Sequence, residues 1–191
     1  HPAYGVLGDE PLQNVSLRPA LARFLTVLPA GHRSRVDHPW YVDGLNLSPL
    51  LAGGIIKLLM LGLVLGTAWK FRQPVEDRDN PTWYWEAAAV SVLILLLSPI
   101  TWGQHCVGVF PACYLLMRRH VSGKPLPNWT RAVMWTYISG LILLNREFVG
   151  RDMTYLIDSY RLPTLFLLGL FAVTSRMRSL VSEEYSATEC E

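Results

Sequence analysis

Charged residues are scarce in this sequence. They make up 17% of its 191 residues, whereas a soluble domain carries about 25%. The net charge of +2 is too small to indicate binding to nucleic acid. The three cysteines do not make a disulfide framework, because Cys106 and Cys113 would stand about 10 Å apart along a helix, too far to bridge. These shortages argue against a soluble, disulfide-stabilised or nucleic-acid-binding domain.

The first residues of this sequence do not predict a signal peptide. The sequence opens with His1, without the charged stretch and cleavage site that a secretory signal carries. Its first 49 residues are polar and loop-like, which is unusual for the start of a protein with many membrane spans. We therefore expect the chain to be the C-terminal part of a longer protein, with the missing N-terminal half as one of its partners.

Apolar residues are abundant and lie in long runs. They make up 51% of the chain, and the run 87–97 is apolar on every face, which suits a helix in lipid rather than in water. Five such segments are roughly Leu50–Trp69, Trp83–Ser98, Gln104–Met117, Ala132–Leu144 and Leu162–Ser175. Since a helix needs about 20 residues to cross a bilayer, the sequence predicts an all-α, polytopic transmembrane helix bundle of four to five spans. Pro111 predicts that the third segment is kinked or only partly inserted.

Basic residues indicate the orientation of this bundle. One set of alternating loops holds nine of them, namely Lys70, Arg72, Arg78, Arg118, Arg119, Lys124, Arg131, Arg176 and Arg178. The opposite set holds three, namely Arg146, Arg151 and Arg161. Because cytoplasmic loops carry the excess of Lys and Arg, we expect a multi-pass protein of the cell (cytoplasmic) membrane. Residues 1–49 would form an extracytoplasmic segment, 50–181 the bundle and 182–191 a cytoplasmic tail.

The N-terminal segment contains one short amphipathic pattern. Its apolar stripe consists of Leu17, Leu21, Phe24, Leu25 and Leu28. This spacing predicts a helix that begins near Pro19 and lies along the outer membrane surface or packs on the bundle.

A polar break separates two apolar runs at Ser98–His105. Pro99 and Gly103 favour a sharp bend there, and backbone groups at such a bend need partners within the protein or in a wet cavity. One interpretation is that the break ends a helix and that Trp102 and His105 are interfacial anchors. The other is that Gln104 and His105 form part of a binding site for a phosphate or a sugar.

Two motifs bear on this choice. The string LLLSPITWGQHCVGVFPACYLLM resembles the hallmark of bacterial glycosyltransferase family 87, in which an SP-x-S/T-W turn precedes a His pair and an apolar helix. Asn14-Val15-Ser16-Leu17, with Arg23 nine residues after the asparagine, is similar to the family's NQSL followed by a helix that carries Arg. Val15 stands where the family has Gln, and Gln104 stands where it has the first His. The resemblance covers most of the chain and corresponds to the C-terminal half of the family's length.

The resemblance implies an enzyme. Members are multi-spanning transferases of the C superfamily that move mannose or a related hexose from a polyprenyl-phosphate donor to a glycan or glycolipid acceptor outside the cytoplasmic membrane, without a cofactor. Their catalytic base is an acidic residue in the first outer loop, which is expected upstream of this chain, so we expect the chain alone to be inactive. The substrate-binding positions that the resemblance implies are Asn14, Ser16, Arg23, Trp102, Gln104 and His105.

Three further cations have two interpretations each. Arg33 and Arg35 lie on the predicted outer side and can grip a phosphate, or they belong to a solvated loop face. Lys57 is a charge inside an apolar segment, which suggests a functional group, or its long stem carries the ammonium to the membrane surface. The histidines and the aspartate near Arg33 and Arg35 match no standard metal site, so we predict no metal.

Two rival functions remain open at this stage. A transporter or channel subunit would distribute polar groups near the membrane midplane on several helices. A non-enzymatic membrane scaffold would give Asn14, Arg23 and His105 no reason to converge. A donor site predicts that Arg23 and His105 face one outward cavity at the level of a lipid phosphate.

Overall fold

The described part of the protein is helical throughout. The structure is a computed structural model and describes residues 14–27, 30, 43–73, 75, 80–144 and 146–188. These ranges contain no strand. Their helices are α1 (Leu17–Leu25), α2 (Pro49–Lys70), α3 (Thr82–Leu97), a 3₁₀ helix (Gly103–Val109), α4 (Phe110–Val121), α5 (Asn128–Leu143), α6 (Arg146–Ser159) and α7 (Leu162–Thr188).

The core lies between α3 and α7, which form the most extensive helix pair. Small residues on α3, among them Ala88 and Ala89, are fully buried and let the two helix backbones approach closely. α4, α5 and the 3₁₀ helix pack around this pair. The side chains buried between all these helices include Leu96, Leu116, Met134, Leu167, Leu170 and Met177.

Two described helices are long and apolar enough to cross a membrane. They are α2 and α7, by length and composition. Of the apolar stretch of α2 only 11% is buried within the protein, against 56% for α7. A helix that is apolar on all faces and largely uncovered requires an apolar environment. α3 is apolar but shorter, at 16 residues, so the predicted four to five spans reduce to two helices that meet the length requirement.

The first long helix begins one residue before Leu50, the approximate start of the predicted segment. Ser48 is the N-cap residue of α2, its hydroxyl accepts a hydrogen bond from the Leu51 amide at 3.4 Å, and Pro49 follows at the first helical position. Pro111 has a similar role in α4. It lies in the first turn of that helix, after the 3₁₀ segment, where the missing N–H breaks no helical hydrogen bond. The proline therefore begins a helix instead of kinking one.

The N-terminal helix packs on the bundle. α1 contacts α2 and α3, which selects the second of the two placements predicted for it. The backbone that follows returns alongside α1, with the Leu45 amide donating to the Phe24 carbonyl at 2.9 Å. Gly44 permits this approach, because a Cβ there would collide with the same carbonyl. Leu17 of the predicted stripe is buried, whereas Phe24 is exposed.

Two segments differ from their predicted form. Residues 146–159, treated as part of a loop in the sequence, are the helix α6, in which Gly150 adopts a left-handed φ of 78° and kinks the chain. α7 continues to Thr188, past the start of the predicted tail. The sequence conceals both because these stretches are polar, and polar composition alone does not distinguish a loop from a helix end.

Members of the two predicted basic sets lie at different ends of the bundle. One end, which we name the Asn14 end, contains Asn14, the Ser98–His105 turn and the α6–α7 junction. The opposite end, which we name the Glu184 end, contains the end of α4, the start of α3 and the end of α7. Arg118, Arg119, Lys124 and Arg178 of the larger set lie at the Glu184 end, whereas Arg161 of the smaller set lies at the Asn14 end.

Candidate functional site

The side chain of Asn14 joins the two motif segments. Its Nδ2 donates to the Pro99 carbonyl at 3.0 Å, and its Oδ1 accepts from the Thr101 amide at 2.9 Å. The same oxygen accepts from the Ser16 amide at 3.2 Å, and the Val15 amide donates to the Thr101 carbonyl at 2.8 Å. Asn14 is 1% exposed. An amide suits this position because it supplies both a donor and an acceptor to backbone groups that no helix satisfies.

The turn is also stabilised from within. The Thr101 hydroxyl donates to the Leu95 carbonyl at 2.7 Å, and the Ser98 hydroxyl donates to the Ile100 carbonyl at 2.8 Å. The first bond satisfies a carbonyl group left over where α3 ends, and the second lies within the turn. The polar break predicted from the sequence is therefore an ordered turn whose partners lie inside the protein.

The α6–α7 junction completes the cluster. Arg161 donates from Nη1 to the Asn14 carbonyl at 2.9 Å, and the Thr164 hydroxyl donates to the Val15 carbonyl at 2.9 Å. Arg161 is 2% exposed and has a left-handed φ of 54°. For a residue other than glycine this conformation costs about 1–3 kcal/mol, and such strain is concentrated at functional positions. The neighbouring contacts hold the residue in place.

Arg23 lies inside the protein. It is 4% exposed, and its Nη2 donates to the Ser159 hydroxyl at 3.5 Å. Arg23 and Asn14 therefore both contact the junction that contains Ser159 and Arg161. Two guanidinium groups are therefore buried at the Asn14 end of the bundle.

Asp158 is an acidic group in the described part of this cluster. Partial burial raises the pKa of its carboxyl to about 6, and the nearby Arg161 guanidinium opposes this rise. Its carbonyl also accepts a hydrogen bond from the Arg161 amide at 3.1 Å. A carboxyl that titrates near neutral pH has the proton affinity expected of an acid–base group.

Trp102 and His105 come after the Ser98–Thr101 part of the turn, and both side chains are exposed. The Trp102 amide donates to His105 Nδ1 at 3.1 Å, so the imidazole caps the start of the 3₁₀ helix. With Nδ1 as the acceptor, the neutral ring carries its proton on Nε2, which is then a donor. Gln104 lies in the same 3₁₀ helix.

The structure brings together some of the predicted site residues and not others. Asn14 and Ser16 lie against the turn that leads to Trp102 and His105, and Arg23 reaches the same cluster through Ser159. Arg33 and Arg35 lie outside the described residues. Lys57 is exposed on the uncovered surface of α2. No group of residues suited to a metal ion occurs within the described ranges.

Sequence reasoning missed the contributions of Ser159, Arg161 and Thr164. It counted Arg161 only as a loop charge, yet a single arginine directly before the apolar segment Leu162–Ser175 was the available signal. Such a residue at a helix start is either solvated or bonded within the protein. Arg161 is bonded to the Asn14 carbonyl, a contact across 147 positions of the chain.

Comparisons with known proteins do not identify a family or a function for this chain. The chain matches no protein-family model, no curated protein and no solved structure.

Proposed function

We propose that this chain is part of an integral-membrane hexosyltransferase that takes a mannose-like sugar from a polyprenyl-phosphate donor and passes it to an extracytoplasmic glycan or glycolipid. The proposal keeps the multi-pass topology with the Asn14 end outside. One observation carries it: Asn14 docks on the Ser98–Thr101 turn. The two segments that separately resemble family 87 are thus parts of one structure.

The chemistry of the reaction fits the groups at the Asn14 end. The acceptor hydroxyl attacks the anomeric carbon of the sugar, the bond from that carbon to the phosphate oxygen breaks, and negative charge develops on the departing lipid phosphate. Cations and N–H donors aimed at that phosphate stabilise the transition state. The exposed His105 would donate from Nε2, while Arg23 and Arg161 would hold the neighbouring segments in place through their bonds to Ser159 and to the Asn14 carbonyl.

The membrane setting supports the same reading. The donor's lipid lies in the bilayer, and its phosphate lies at the headgroup level. α2 exposes apolar side chains over most of its length, as a lipid-facing helix does. The shorter helices α3, α4 and α5 complete the bundle of four to five crossings in this proposal.

A non-enzymatic scaffold is the second candidate, and a specific observation favours it. The polar atoms of the Asn14 side chain all bond within the protein, and Arg23 is buried. A cluster with these features holds the N-terminal segment on the bundle without the help of any ligand. The two candidates differ in whether the Asn14 end recognises a lipid phosphate.

Binding of a lipid phosphate to the purified chain separates these candidates. We expect saturable binding of tritiated polyprenyl phosphate, with the neutral polyprenol bound more weakly. His105→Ala should weaken binding by about tenfold, since a hydrogen bond to a charged group contributes about 1.5–3 kcal/mol. Arg151→Ala is the matched control, because Arg151 lies on the exposed surface of α6 and bonds to Tyr155 at 2.9 Å. Equal binding of the phosphate and the alcohol would refute phosphate recognition and favour the scaffold.

A further inference from the structure

A groove of about 880 Å³ lies at the Glu184 end, on the opposite side of the bundle from the Asn14 cluster. Its two walls are α3 and α4, and the last turns of α7 form its floor. Tyr84, Ala88 and Ser91 line one wall, and Pro111, Leu115 and Arg118 line the other. Each set is spaced as one face of a helix. The groove therefore follows both helices for about two turns, or about 10 Å.

The groove is polar at one end and apolar at the other. α3 and α4 run in opposite directions, so Arg118 lies level with Tyr84, and Pro111 lies level with Ser91. The Ser91 hydroxyl donates to the Ala87 carbonyl of its own helix at 2.9 Å, so its proton is not offered to the groove. The cavity thus has a cationic head region and an apolar channel.

Of the three cations in the head region, one is paired with a carboxylate and two are not. Arg119 is buried and forms a two-pronged ion pair with Glu184, and its Nε donates to the Pro125 carbonyl at 3.2 Å. Arg118 and Lys124 are exposed, and neither side chain forms a hydrogen bond or an ion pair with any residue in the described part of the chain; Lys124 acts on the Glu184 carboxylate only through its charge. After Glu184 has neutralised Arg119, two positive charges remain at the mouth of the groove.

The surroundings of the groove are those of a membrane interface. Trp83 stacks on Tyr84 with ring centroids 4.7 Å apart, and exposed aromatic residues of this kind occupy the headgroup level of a bilayer. The flanks beside the apolar channel are exposed as well, with Ile94 at 62% and Phe110 at 67%. The channel therefore opens toward lipid, while the two cations lie where headgroups lie.

We propose that this groove binds an anionic phospholipid. Its phosphate lies between Arg118 and Lys124, and one acyl chain lies in the channel along Ala88 and Leu115. Basic pockets between membrane helices bind acidic headgroups in this way. A soluble phosphate would use the cations and leave the channel empty, so charge and shape together select the lipid. This site is independent of the proposed sugar-donor site at the Asn14 end.

The test compares lipid binding by charge-neutralised variants of the purified chain. Binding of phosphatidylglycerol and phosphatidylcholine in detergent micelles is measured by native mass spectrometry. The site variant is Arg118→Gln with Lys124→Gln. The matched control is Arg131→Gln with Arg176→Gln, which removes the same charge from exposed residues of the same basic set outside the groove.

We expect the site variant to bind phosphatidylglycerol about 30-fold more weakly, since each cation near an acidic headgroup contributes about fivefold. The control variant should stay within about twofold of the wild type. Both variants should unfold at the wild-type temperature in zwitterionic micelles, because the four side chains are exposed. Equal losses of phosphatidylglycerol binding in the two variants would show that general surface charge causes the effect, and would refute the proposed site. Full competition by glycerol phosphate, which lacks acyl chains, would overturn the lipid as its ligand.

Discussion

Truncating Asn14 tests how firmly the N-terminal segment is held on the bundle. Asn14→Ala removes the donor to the Pro99 carbonyl and the acceptor for the Thr101 amide. The Thr101 and Ser16 amides, which both donate to this side-chain oxygen, stay buried without their partner, and a buried unsatisfied group costs about 1–3 kcal/mol. The measured free-energy contributions of hydrogen bonds in membrane proteins lie at the lower end of such ranges. We therefore expect Asn14→Ala to lower the free energy of unfolding by about 2–4 kcal/mol.

Ser16→Ala is the matched control for this experiment. Ser16 lies two residues away and is equally buried, but its hydroxyl oxygen has no hydrogen-bond partner among the described residues. Its removal should be neutral or slightly stabilising. Thermal unfolding of the two purified variants in the same detergent measures the difference. A chain of this size shifts by about 2–4 °C per kcal/mol, so Asn14→Ala should unfold about 5–15 °C below Ser16→Ala. Equal unfolding temperatures would refute the role assigned to the asparagine.

Two further predictions concern charged groups. Asp158 has a pKa raised to about 6, so the unfolded chain holds fewer protons than the folded one between about pH 4 and 6. Stability should therefore fall as the pH rises through this window, and Asp158→Asn should remove that fall, which unfolding measured at pH 4.5 and 7.5 would detect. Glu184→Gln should lower the unfolding temperature by about 2–6 °C, since it weakens the ion pair to the buried Arg119. Glu183→Gln should leave it unchanged, because Glu183 is an exposed neighbour outside the pair.

The sequence predicted the helices well because apolar runs and helix-start residues are local signals. The predicted segments all fall on helices, and Ser48-Pro49 begins α2. The number of membrane crossings was harder to predict, because α4 and α5 are shorter than a bilayer requires and hydropathy alone does not distinguish a span from a packed helix. α6 was missed because its composition is polar.

The candidate site was predictable only where a residue lies in a motif. The Asn14 and Ser98–Thr101 motifs lie 85 residues apart, as their hydrogen bond records, and only the resemblance linked them. Arg161 carries no motif, and its contact to the Asn14 carbonyl follows from the packing of α6 and α7 against the N-terminal segment. Arg23 was expected at the level of a lipid phosphate, but the structure buries it beside Ser159. The rotation of α1 on its neighbours decides this, and no local pattern encodes it.

The most direct test of the proposed function is sugar transfer itself. Membranes from cells that produce the natural protein would be supplied with polyprenyl-phosphate [³H]mannose, and the rate of label transfer to a glycan or glycolipid would be measured. We predict that His105→Ala lowers this rate by about 30- to 1000-fold, the effect of removing one preorganised donor worth about 2–4 kcal/mol. Arg151→Ala should leave the rate unchanged. Transfer by His105→Ala at the wild-type rate, in a variant that folds normally, would contradict the account.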